Sequence, residues 1–480
     1  LISPSIEPFD EAKYKALMDG LECSEIYLSA LERTARIDAE FYKKGNLEVS
    51  DFLKEKTLQS FTASFSVSDG NHMSISDAFR NKGIPYYRGQ DIYNIFIEAA
   101  SPVCIDTNTF NHPHMKRSHL KRGDVLMSIV GAIVGNSAIV TSDSEATCSC
   151  KLAIMRSKQT DILPEVLLTF IKTKYGQNQI QKFKRGAAQT GLLLEDFDQL
   201  LIPIFSSCLQ EQIKEVIQSA HDKVVKESEV HEEAKTFLLS ALGFDSAMVS
   251  KNGISEKLLS ESFGTSGRLD AEYYQPKYED IEKRLNTTES VGTLCDIHDA
   301  NYVPDEKKDY QYIELANVGM FGNVYGVEKI HGKDLPTRAR RKVNKGQVII
   351  SSIEGSLQSC ALITDDYHNA LCSTGFYVID SDHINSETLL VLFKSEPIQA
   401  LMKQRCSGTI LTAISKDFLL SMPLPLIDDM SQKDIAEKVQ KSFALRRQAE
   451  KLIATAVRAV EIAIEEDEAA AISYIDTCVD

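Results

Sequence analysis

The chain has 480 residues, 43% of them hydrophobic and 25% charged, and a formal charge of -16. That length gives room for two or three domains with sizeable cores, and the acidity argues against a simple, uniformly basic nucleic-acid binder. The most apolar run, residues 125–140, is interrupted by Ser128, Gly131, Gly135, Asn136 and Ser137 and is shorter than the roughly 20 apolar residues a bilayer span needs, so no membrane segment is expected. The mixed, acidic opening residues do not read as a signal peptide, although a leader trimmed before Leu1 stays open. Ten scattered cysteines form no framework, which favours reduced thiols and a cytoplasmic location.

Taken in order, β-branched and aromatic runs at 84–87, 125–130 and 138–140 predict strands, and residues 164–175 predict a helix. Residues 209–242 contain no Gly or Pro. Their apolar or small positions Ile213, Ile217, Ala220, Val224, Ala234, Leu238 and Ala241 recur at steps of three and four, so one long helix with a narrow seam is predicted, broken at Glu227 and His231. Strands are then predicted at 310–313, 348–353 and 376–379 and a helix at 386–393. A second long helix spans 435–464, with Ile435, Val439, Ala449, Leu452, Ala456, Val460 and Ala463 as its seam. Each seam runs about thirty residues, or roughly 44 Å at the helical rise. Seams this narrow pack on another helix, so the pair is expected to associate. Acidic residues are read as dense in both helices, which suits protein-facing surfaces.

The chain is one unit written twice. RIDAEFY at 36–42 returns as RLDAEYY at 268–274, YYRGQDI at 86–92 as YIELANV at 312–318, GDVLMS at 123–128 as GQVIIS at 346–351, and AIVT at 138–141 as ALIT at 361–364. Gly186, Thr190, Asp196, Phe197 and Pro203 find counterparts in Gly408, Thr412, Asp417, Phe418 and Pro423, and Phe9-Asp10 and Phe244-Asp245 open the two halves. Ordered matches of this kind mark an internal repeat. The expected class is α+β: two tandem-duplicated domains separated and followed by long coiled-coil-like helices, divided at 1–206, 207–243, 244–428 and 429–480. Loops differ between the copies more than strand cores do, as expected of two ligands of one kind.

Catalytic signatures are missing. Residues 131–135 lack the spacing and context of a dinucleotide loop, no phosphate-binding P-loop is present, and no Asn-Pro-Pro or Asp-Pro-Pro loop exists. Pro304-Asp305 with Glu306 and Lys307 has the wrong spacing for a nuclease site. Cys148 and Cys150 lack a second pair for zinc, and His112, His114 and His119 alternate with cations. No catalytic residue, no metal site and no cofactor are expected in this chain.

Basic clusters are better explained by phosphate. Lys116, Arg117, Lys121 and Arg122 precede Gly123, and Arg338, Arg340, Arg341, Lys342 and Lys345 precede Gly346. Phosphate contacts interchange Lys and Arg and set register on a duplex. Lys184 and Arg185 add a third cluster with Lys182. Base reading needs forked polar groups, for which Arg88, Gln90 and Asp91 stand in the first copy and Glu314 and Asn317 in the second. The Gly-containing stretches 185–190 and 405–409, with Gln189, Arg405 and Thr409, are further candidates because glycine permits close backbone approach.

The chain resembles the specificity subunits of type I restriction-modification systems. The resemblance rests on the doubled RxDAE[FY]Y opener, the G-D/Q-V-[LI] strand followed by SIVGAIVG or SSIEGS, the glycine-to-Asp-Phe-to-Pro block, and the Gln-bearing helix starts LQEQI and SQKDI. The second start lacks the usual Glu-Gln pair. The resemblance implies two target-recognition domains, each reading one half of a bipartite sequence in double-stranded DNA. It implies that the long helices form an antiparallel coiled-coil-like pair that separates the two domains and docks methyltransferase (modification) subunits, with restriction subunits joining the complex. S-adenosylmethionine, ATP and Mg would belong to those partners, and this chain would not itself be an enzyme. The rival reading is a non-enzymatic protein-interaction scaffold with two duplicated binding domains.

Overall fold

The computed structural model describes residues 9–29, 31, 36–97, 102–158, 161–186, 190–244, 254–408 and 412–479. Mixed helix and strand form two compact units, Leu1–Asp222 with Gln448–Asp480, and Lys223–Arg447. Each long helix therefore has about one half in each unit.

In the first unit β1 (Leu58–Ser60) pairs with β9 (Leu201–Pro203), and the main sheet runs β2 (Phe65–Asp69), β8 (Leu152–Ser157), β5 (Val125–Ser128), β6 (Ser137–Ile139), all antiparallel. Strands β5 and β6 are buried on both faces, which is why they read as continuous apolar runs rather than alternating ones. Leu126, Ala138, Leu152 and Ile154 share a core with Tyr87 and Cys148 of a smaller sheet. That sheet has the order β4 (Val103–Ile105), β3 (Ile84–Tyr87), β7 (Thr147–Cys148), with β3 and β7 parallel.

The second unit repeats this order. Its main sheet is β10 (Asp296–Ile297), β17 (Phe376–Asp380), β14 (Val348–Ser351), β15 (Cys360–Leu362). Its smaller sheet is β12 (Lys329–His331), β11 (Asp309–Ile313), β16 (Leu371–Ser373), β13 (Ala339–Lys342), with β11 and β16 parallel. The turn before β5 and before β14 is built alike. Gly123 and Gly346 take φ of 84° and 85°, which favours glycine. The Asp124 carboxylate accepts from Lys121 N at 2.8 Å, and the Gln347 amide oxygen accepts from Asn344 N at 2.8 Å. A side chain able to accept is what the motif requires, so Asp and Gln exchange.

Residues 164–175 do not form one helix. α1 (Pro164–Lys172) and α2 (Lys174–Phe183) meet at Thr173, whose hydroxyl donates to Phe170 O at 2.7 Å and accepts from Gly176 N at 3.1 Å. Such local bonds compete with the helical ladder. α4 (Ser386–Lys394) and α5 (Glu396–Gln404) divide in the same way at Ser395, whose hydroxyl donates to Leu392 O at 2.6 Å.

The long helices are α3 (Ser207–Ala241) and α6 (Asp429–Glu465), followed by α7 (Glu468–Val479), which the sequence reading missed. The α3 seam is buried except at Ala241. The two interruptions are buried as well: Glu227 lies 3.7 Å from Arg446, and His231 packs on Phe321 with ring centroids 4.6 Å apart. In the second unit Glu227 faces Arg446 while Lys438 lies over the Phe237 ring, so the helices run antiparallel there. α6 is not acidic, because Lys433, Lys438, Lys441, Arg446, Arg447, Lys451 and Arg458 outnumber its carboxylates.

Both helix starts are fastened by one glutamine. Buried Gln210 donates to Asp161 O at 2.6 Å and Phe205 O at 2.9 Å and accepts from Leu163 N at 3.0 Å. Gln432 donates to His383 O and Ile427 O, both at 2.9 Å, and accepts from Asn385 N at 2.7 Å. The shared residue of LQEQI and SQKDI is thus the one that ties each helix to its own domain.

Candidate nucleic-acid interface

Strand direction sorts the basic residues. In the first unit β3 and β7 run parallel, so both leave the small sheet at one end, where Arg88 follows Tyr87. His119 bridges Thr147 in the antiparallel sense. Lys116 and Arg117, before it, therefore run toward the Arg88 end, whereas Lys121 and Arg122, after it, run to the opposite end. In the second unit β13 is antiparallel to β16, with Ala339 opposite Ser373 and Lys342 opposite Leu371. Arg338 lies at the end where Glu314 follows β11, and its Nη2 donates to Glu314 Oε1 at 2.8 Å. Lys342 and Lys345 lie at the other end. The single cationic edge expected from sequence is thus two groups at opposite ends of the sheet in each unit.

Three loops gather at the first of these ends, the tip. A short 3-10 turn follows Arg88, held by Asp91 Oδ2 accepting from Arg88 N at 2.8 Å; its counterpart has Asn317 Oδ1 accepting from Glu314 N at 2.8 Å. The loop after β5 comes beside this turn: a Cβ on Gly89 would stand 3.5 Å from Ser128 Oγ. A hairpin then leans on that loop. Arg185 pairs with Gly191, Gly191 bridges Val130, and Gly131 N donates to Thr190 O at 2.8 Å. In the second unit β18 (Cys406–Ser407) pairs with β19 (Ala413–Ile414), Ala413 bridges Ile353, and Glu354 N donates to Thr412 O at 2.9 Å. Gly191 has no room for a side chain, since a Cβ would meet Ile129 O at 2.7 Å.

At the first tip Gln90, Lys116 and Arg117 are exposed and Arg88 is half-buried. Lys116 has no side-chain partner among the described residues, whereas Arg117 pairs with Asp69 and Arg88 Nε lies 3.3 Å from Asp91. Lys184 and Arg185 form the hairpin root, half-buried, with Arg185 paired to Asp196. Burial pushes the Asp196 carboxyl up, opposed by the Leu193 N–H and the Arg185 charge. Gln189 and Thr409, candidates from the Gly-containing stretches, lie outside the described residues.

At the second tip Arg338 is exposed and Glu314 half-buried. Asn317 is a structural group: its amide donates to Tyr325 O at 3.1 Å and Gly326 O at 3.0 Å. Arg340 is half-buried, with Nε donating to Thr337 O at 3.0 Å, and Arg341 donates to Asp299 O and to Asn301 Oδ1 at 3.0 Å. Arg405 corrects the sequence reading, for it is 6% exposed and enclosed by Glu282 at 2.9 Å, Gln404 Oε1 at 2.7 Å and Leu401 O at 3.3 Å. Its charge holds the fold and is not offered to a ligand.

At the opposite end Lys121, Arg122, Lys342 and Lys345 are exposed. Arg122 pairs with Asp143 at 3.4 Å and Lys345 with Asp365 at 2.7 Å, while Lys342 lies 5.7 Å from the Tyr302 ring centroid. Exposed pairs of this kind are worth little. Among the described residues no cluster of His, Cys, Asp or Glu is placed to hold a metal ion, and no helix is long and apolar enough to cross a membrane.

The chain's neighbours among solved structures include specificity subunits of type I restriction-modification systems. The type I specificity subunit from M. genitalium is 12% identical with a TM-score of 0.34, covering 88% of this chain and 94% of its own. The HsdS subunit from Thermoanaerobacter tengcongensis is 14% identical with a TM-score of 0.29, covering 86% of this chain and 97% of its own. The type IIG restriction endonuclease BpuSI is 12% identical with a TM-score of 0.31, over 40% of this chain and 30% of its own. No protein-family profile and no curated protein matches the chain.

Proposed function

We propose that this chain is the DNA-recognition subunit of a type I restriction-modification complex, each unit reading one half of a bipartite duplex target. The observation that carries the reading is the pair of equivalent tips. Post-strand loop and hairpin are joined by the same backbone bonds in both units, and the turn in each is held by the same side-chain-to-backbone bond, while the exposed side chains upon them differ. A constant frame with variable tips is what two readers of different base sequences require.

Within each tip the division of labour follows from chemistry. Lys116 and Arg117 in the first unit and Arg338 in the second contact phosphate, fixing register without reading sequence. Gln90, with its paired donor and acceptor, meets base edges in the major groove, and Gln189 and Thr409 are further candidates for the same contacts. Glu314 accepts from an exocyclic amine, its charge near phosphate being offset by Arg338. Asn317 and Arg405 take no part. Modification subunits dock on the long helices, carry S-adenosylmethionine and methylate adenine. Restriction subunits supply the ATP- and Mg-dependent chemistry, and this chain contributes no catalytic group.

The test is duplex binding by the complex purified through a tag on this chain, titrated with salt. Affinity falling linearly on a log–log plot of binding against salt is expected. Assembly with partners but no salt-sensitive duplex affinity would leave the protein-interaction scaffold as the function.

A further inference from the structure

We propose that the Arg36–Asp38 and Arg268–Asp270 forks are positioning devices for target reading, each setting the hairpin that its own unit presents at the tip. The inference rests on the DNA-recognition reading and assigns a role to the RxDAE[FY]Y motif, which that reading leaves unexplained.

The two forks are built alike. Arg36 donates from Nε at 2.8 Å and Nη2 at 2.6 Å to the two Asp38 carboxylate oxygens, and Arg268 donates from Nε and Nη2, both at 2.7 Å, to Asp270. Each guanidinium lies 4.6 Å from an aromatic ring of its own motif, Phe41 or Tyr273. The motif's last tyrosine closes the loop, Tyr42 Oη donating to Arg36 O at 3.2 Å and Tyr274 Oη to Arg268 O at 3.0 Å.

What the forks hold is the decisive point. Arg36 Nη1 donates to Phe183 O at 3.0 Å and Nη2 to Lys184 O at 3.5 Å, the last residues before the hairpin pair Arg185 and Gly191. Arg268 Nη1 donates to Cys406 O at 2.9 Å and Gln404 O at 3.4 Å, and Cys406 is the first residue of β18. Each hairpin is therefore pinned twice. Its far strand is tied to the post-strand loop through Thr190 O or Thr412 O, and its near strand is tied to the fork. The first root has the Arg185–Asp196 pair in addition.

A planar guanidinium can face a carboxylate and backbone carbonyls at once, which a lysine ammonium cannot match. Exchanging the arginine should leave the unit folded but let the hairpin root shift, and base reading depends on placement within a fraction of an ångström.

The experiment selects bound sequences from duplexes with a randomised centre, using the complex purified through this chain. The unaltered chain is expected to select a bipartite motif. Arg36→Lys is expected to keep one half of the motif and lower the preference in the other by about tenfold, the scale of one charge-assisted hydrogen bond; Arg268→Lys is expected to do the reverse. Asp38→Asn and Asp270→Asn, which release the same forks while keeping the arginine charge, should split the halves identically. Equal damage to both halves, or no change in variants that melt like the parent, overturns the proposal. So does loss of the melting transition in both variants of one fork, because the fork would then hold the whole unit. A parent that selects no motif overturns the DNA reading, and this inference falls with it.

Discussion

Lys116 and Arg338 occupy matching ends of their small sheets, one without a side-chain partner among the described residues and the other exposed and paired to a half-buried Glu314. Replacing either by Ala should hardly move the melting temperature, since exposed charges contribute little to stability. Each replacement should lower duplex affinity and flatten the salt slope by about 0.9 per lost phosphate contact. A salt slope equal to that of the parent would remove these residues from the interface. His231 speaks to stability instead. Burial, helped by Lys394 and Lys235, pushes it from 6.5 down to about 4. The unfolded chain takes up this proton first as pH falls. The stability of the second unit is therefore full above 6.5 and drains as pH drops toward 4, by on the order of 3 kcal/mol at about 1.4 kcal/mol per unit. His231→Phe should flatten that window in pH-dependent melting, and a variant with the same pH profile as the parent would contradict the assignment.

Single side chains decide how elements are joined. Gln210 and Gln432 each satisfy three backbone groups beneath a helix start, so truncation to Ala strands those groups and should cost on the order of 1–3 kcal/mol per site. Thermal or denaturant unfolding of Q210A and Q432A checks this, and a cost below about 0.5 kcal/mol, the range of ordinary surface substitutions, would refute the fastening role. The long helices were legible because their seams repeat at the helical step, and β5, β6 and β14 because burial on both faces leaves unbroken apolar runs, whereas the central strand β8 was missed although Leu152–Met155 is such a run. Thr173 was not legible as a break, since a hydroxyl that caps a new helix looks in sequence like any mid-helix Thr. The edge strands β2 and β10 were missed for want of a continuous apolar run. The tip was half legible: glycines and polar residues pointed to the hairpins, but Arg405 reads as a free cation until Glu282, far away in sequence, is seen to enclose it. Likewise the doubled RxDAE[FY]Y motif announced a repeat without revealing that its arginine reaches carbonyls beyond residue 180 in one copy and beyond 400 in the other.

At the scale of the molecule, both units draw on the same two helices, one divided at residues 222–223 and the other at 447–448. A change in the length of one helix alone would break the antiparallel register marked by Glu227 and Arg446. Four residues inserted at both divisions should lengthen each helix by about 6 Å. At about 3.4 Å per base pair, the gap between half-sites should grow by close to two base pairs with the half-sites unchanged. An unaltered gap would deny the helices their spacing role. The central claim, that this chain reads a bipartite DNA sequence for a methyltransferase, is tested most directly by single-molecule mapping of adenine methylation in host DNA with the chain present and deleted. The account predicts one motif of two short halves around a fixed gap, methylated only when the chain is present. A methylation map that is the same with and without the chain would contradict it.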